Sequence, residues 1–92
     1  MSSREIPGSL ILKLMVIKEL HKLGYISVHE FPDLISKITQ HLNSMGYSIN
    51  PGDVINLLDV VRISNGKVTL SNEGIHYLQA IEVLTNNVTK TS

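Results

Sequence analysis

Cysteine is absent from the 92 residues, which excludes disulfides and thiolate metal sites and leaves the redox compartment open. An excess of charge is absent as well: eight Lys/Arg balance eight Asp/Glu, giving a formal net charge of zero. A dedicated nucleic-acid binder is usually basic, so neutrality counts against a general affinity for phosphates, and the placement of the charges matters more than their sum. No long hydrophobic run occurs. The longest, Leu10–Ile17, is interrupted by Lys13 and followed by Lys18 and Glu19. It is too short to span a bilayer and has no small-residue cleavage site behind it, so a soluble intracellular protein without a membrane partner is expected. Catalytic patterns are missing too. There is no glycine-rich phosphate loop and no nucleophile elbow. His21, His29, His41 and His76 follow no compact ligand spacing. The chain therefore reads as a non-enzyme with neither metal nor cofactor.

What is present is enough apolar material for one core. Hydrophobic residues make up 42% of the chain. A domain of this size buries only about 60–65% of its unfolded surface, so a single modest core is expected. Residues 1–8 (MSSREIPG) combine Ser, Pro and Gly and read as a flexible N-terminal arm. The periodic pattern occupies residues 9–85, and the polar stretch 86–92 (NNVTKTS) reads as a flexible C-terminal tail. No internal repeat or interdomain linker interrupts the pattern.

Ser9 is placed to cap a first helix that ends at Gly24, with apolar residues around most of its circumference at roughly 100° per residue. Tyr25-Ile26-Ser27-Val28 is a brief β-prone stretch. A second helix starts at Phe31-Pro32 and closes at Gly46. Its stripe of Phe31, Leu34, Ile35, Ile38, Leu42 and Met45 is the cleanest amphipathic pattern in the chain. Asn50-Pro51-Gly52-Asp53 opens a short third helix, with Asn50 as cap and Val54, Leu57, Leu58 and Val61 facing inward. Asn65-Gly66, between the β-branched run VVRIS and the run KVTL, predicts a hairpin, because both turn residues accept positive φ. Ser71 begins a fourth helix whose buried face is expected to hold Tyr77, Leu78, Ala80, Ile81 and Leu84.

The order helix, strand, helix, helix, hairpin, helix resembles the winged helix-turn-helix domain, an α+β fold in which the first short strand joins the hairpin in a small three-stranded antiparallel sheet. The stretch GKVTLSNEGIHYL, residues 66–78, is similar to the passage from the second wing strand into the last helix of many small winged-helix regulators. In size and general character the chain resembles small winged-helix proteins encoded by archaeal viruses and plasmids. The resemblance implies a transcriptional regulator that binds double-stranded DNA in the cytoplasm of a prokaryote or virus host cell.

In such a fold the third helix enters the major groove and the wing contacts the backbone or the minor groove. The wing would supply Arg62, Asn65 and Lys67, the third helix Asn56, the preceding turn Tyr47 and Ser48, and the second helix Lys37 and Gln40. The departure lies in the third helix, which has no Lys or Arg and carries Asp53 and Asp59. Phosphates repel those carboxylates, and base readout most often uses arginine or lysine. An alternative follows: a winged-helix module that binds another protein and no DNA. The unusually apolar first helix points further to a homodimer, with Ile11, Leu12, Met15 and Val16 at the interface and Leu84 of the fourth helix beside them.

Overall fold

The computed structural model describes residues 7–91; the first six residues of the expected N-terminal arm and Ser92 lie outside them. The first helix, α1, spans Gly8–Leu23. Pro7, not Ser9, holds its cap position, and the Pro7 carbonyl accepts the amides of Leu10 and Ile11 at 3.1 and 3.2 Å. The helix thus begins one residue before the serine that could have capped it. At the other end the Gly24 amide still donates to the Leu20 carbonyl at 2.8 Å, and Gly24 then takes φ +84° with ψ −50°, a positive-φ conformation that suits glycine and ends the helix, though outside the left-handed helical region expected of the cap.

Leu12, Val16, Ile17 and Leu20 of α1 are completely or almost completely buried, because three other helices and a strand contact this helix. That corrects the expected dimer interface. Leu12 and Val16 have no surface to offer a partner, and Ile11 and Met15 are half-buried against the same core. The wide apolar wheel of α1 is matched by several partners within one chain.

Strand β1 (Ile26–Ser27) leads to α2 (Phe31–Ser44), which buries Phe31, Ile38 and Leu42 and packs Leu34 and Ile35 on the core. Met45 is exposed, contrary to the stripe. It lies past the last helical residue, where the helical phase no longer applies. Helix α3 is a single α-helical piece, Pro51–Ile55, continued as a tighter 3-10 segment, Asn56–Asp59. A reciprocal cap fixes its start: the Asn50 amide donates to Asp53 Oδ2 at 2.9 Å, and the Asn50 side chain accepts the Asp53 amide. Leu57 is buried as expected, but Leu58 is 59% exposed. The 3-10 winding advances more per residue than an α-helix, so it turns Leu58 away from the face that its sequence spacing assigns.

Strands β2 (Val61–Ser64) and β3 (Lys67–Leu70) form the hairpin, and Asn65 and Gly66 take φ +54° and +74° at its tip. The sheet is antiparallel in the order β1-β3-β2, with Ile26 and Ile63 opposite Val68, and Ser27 and Ser64 opposite Lys67. Helix α4 (Asn72–Thr91) starts on Ser71, whose Oγ accepts the Gly74 amide at 3.1 Å and donates to the Asp59 carbonyl at 2.8 Å. Gly74 is buried against the Val60 carbonyl and leaves no room for a Cβ. This close approach sets the rotation of α4, so that Gly74, Leu78 and Ile81 form its inward line. Tyr77, Ala80 and Leu84 consequently stay exposed, a correction to the expected face. The backbone remains helical to Thr91, past the expected end at residue 85. Once a helix is nucleated each further residue adds a hydrogen bond, so polar composition alone does not stop it.

Candidate nucleic-acid interface

Antiparallel pairing puts directly opposed residues on one face, and alternate residues of a strand share it. Val61, Val68, Ile26 and Leu70 face the core: the first two are buried and the others half-buried on it. The register then puts Arg62 and Ser64 of β2, Lys67 and Thr69 of β3, and Ser27 of β1 together on the outer face. Arg62, Ser64 and Lys67 are exposed, and Asn65 sits at the exposed tip beside them. Three expected wing contacts are therefore gathered on one small projection.

Two neighbours condition these cations. Lys67 Nζ lies 4.6 Å from the centroid of the Tyr25 ring, just ahead of β1. Arg62 lines a 320 Å³ depression with Val61, Leu70, Ser71, Asn72 and Glu73 at the base of the wing, so an acid shares its surroundings. Tyr25 was not among the residues singled out from the sequence. Its signal is a three-strand register that brings residue 25 to residue 67, and local spacing does not carry that information.

The remaining expected contacts are scattered. Lys37 and Gln40 are exposed on α2, Ser48 is exposed in the turn before α3, and Asn56 is exposed where the 3-10 segment begins. Tyr47 is half-buried against the core, so its ring serves packing first. The exposed surface of the third helix is apolar and acidic, with Ile55 64% exposed beside Leu58, Asn56 and Asp59. All four histidines are exposed, and among the described residues no group of three or more His, Cys, Asp or Glu could hold a metal ion. Among the same residues no helix is long and apolar enough to cross a membrane.

Helices packed on a three-stranded sheet, in the order helix-strand-helix-helix-hairpin-helix, define a winged-helix-like topology. No family model, curated protein or solved structure matches the chain.

Proposed function

We propose that this chain binds duplex DNA through its wing and serves as a small transcriptional regulator. The supporting observation is the pair Arg62 and Lys67, directed to the outer face of a hairpin with an exposed tip in a winged-helix-like fold. Cations on a narrow projection neutralise phosphates and fix register on the duplex, while base readout has to come from elsewhere. Asn56 is the one exposed polar residue of the third helix suited to adenine. A fluorescence-anisotropy titration with mixed-sequence duplex DNA tests the reading. Saturable binding that weakens steeply with added salt is expected; no binding at about 50 mM salt contradicts it.

Two such modest wings gain from being paired, because the second engagement becomes intramolecular. A homodimer belongs to the reading for that reason. Since Leu12 and Val16 of α1 are enclosed in the chain's own core, the exposed apolar residues of α4, Val83 and Leu84, support the contact instead. Sedimentation equilibrium at micromolar concentration should return the mass of two chains, and Leu84→Glu should return that of one. A single-chain mass for the unaltered protein removes the dimer.

The third helix favours a second reading, a protein-interaction module. Ile55 and Leu58 are largely exposed and flanked by carboxylates, a surface suited to an apolar, basic partner and unsuited to a major groove. Failure to bind DNA at low salt would leave this reading in place of the first.

A further inference from the structure

Across the outer face of the sheet runs a row of three polar residues, one from each strand: Ser27, Lys67 and Ser64, with Lys67 directly opposite both serines. Neighbouring strands lie about 4.8 Å apart, so the row is roughly 10 Å long, enough to reach more than one phosphate of a DNA strand. A second row carries Thr69 opposite Arg62, and none of these five strand residues is acidic. The Ser27 hydroxyl oxygen accepts the His29 amide at 3.2 Å, so its own proton is available to an anion. At the β1 edge Tyr25 is 53% exposed with Lys67 Nζ over its ring, so the lysine lies back across the sheet and away from the wing tip. Arg62, in contrast, shares its depression with Glu73.

We propose that the outer sheet face, centred on Lys67 and reaching from β2 to the β1 edge, is the strip that receives the phosphodiester backbone of duplex DNA, with Tyr25 as the residue that positions the Lys67 ammonium. The inference rests on the wing-binding reading and relocates its contact from the hairpin tip to the sheet. The occupant follows from charge: a row of two hydroxyl donors about a lysine, with no carboxylate among the outward strand residues, fits a polyanion. The ring face attracts the ammonium electrostatically and spares part of the entropy of ordering a flexible lysine when phosphate binds.

The test combines one measurement on the free protein with one on the complex. In the free protein the Lys67 side-chain protons should show an upfield ring-current shift by NMR, retained in Tyr25→Phe and lost in Tyr25→Ala. With mixed-sequence duplex DNA, Tyr25→Ala should bind about two- to five-fold more weakly and Tyr25→Phe as the unaltered protein does. In a Lys67→Ala background Tyr25→Ala should cost nothing further. Equal binding by the unaltered protein and Tyr25→Ala, or the same loss with and without Lys67, overturns the inference and leaves the wing reading standing. No binding by the unaltered protein overturns both. Tyr25 is more than half exposed, so its replacement should leave the thermal midpoint nearly unchanged, and Tyr25→Leu, which keeps apolar bulk and removes the ring, takes the place of Tyr25→Ala with the same expected loss if the Ala variant does not fold.

Discussion

Two glycines show how differently one residue type can constrain this chain. Gly66 has open space around it, with nothing within 4 Å of an added Cβ, but its φ of +74° is a conformation that side chains resist. Gly74 has an ordinary backbone, but an added Cβ would run into the Val60 carbonyl and crowd a Leu70 methyl. Gly66→Val should therefore destabilise by about 1 kcal/mol or more through backbone strain alone. Gly74→Ala should cost about 1–3 kcal/mol through overpacking, because the obstacle is backbone that cannot step aside. Urea unfolding of both variants distinguishes the causes. Gly66→Asn should recover most of the Gly66→Val loss, since asparagine tolerates positive φ, while no side chain should rescue position 74. An unchanged midpoint for Gly66→Val would contradict the hairpin geometry.

Element boundaries depend on the same local chemistry, and here the sequence was readable in some places and opaque in others. The Asn50–Asp53 cap, the Asn65-Gly66 turn and the Gly24 stop are short-range devices, and each occurs where its residues stand. What local spacing could not carry was rotation. Leu58 turns outward because α3 tightens to 3-10 winding midway. Tyr77 and Leu84 turn outward because Gly74 docks on a carbonyl from a distant turn and fixes the phase of α4. Tyr25 joins Lys67 only through a long-range register. Ser71 links both levels, capping α4 and tying it to the end of the third helix through the Asp59 carbonyl. Ser71→Ala should thus cost about 1–2 kcal/mol, the upper part of the range for a cap, because an inter-element hydrogen bond is lost with it. Ser71→Asp should recover the capping share and lose the bond to Asp59, whose carbonyl needs a donor. Equal stability of the Ala and Asp variants would show that capping contributes little here.

At the scale of the whole molecule the chain is longer than its core. The principal extents are 42 × 29 × 18 Å and the radius of gyration is 14.0 Å, against about 12 Å for a compact chain of this length. A 20-residue helix is about 30 Å long, and α4 carries exposed Val83 and Leu84 just past Ile81, the last residue of its inward line. Lys13 over the Tyr77 ring at 5.4 Å joins α1 to this helix on its docked part. The wing projects from the sheet, and with zero net charge the molecule has no general attraction to DNA to mask a local one. Neutrality makes the wing testable. If DNA is held by Arg62 and Lys67, nearly all the salt dependence of binding has to pass through them. The decisive measurement is the slope of log binding constant against log salt concentration for mixed-sequence duplex DNA, compared between the unaltered chain and the Arg62→Ala, Lys67→Ala double variant. Binding through the wing predicts a slope shallower by about two for each wing engaged, together with a large loss of affinity at low salt. An unchanged slope and affinity in the double variant would contradict it.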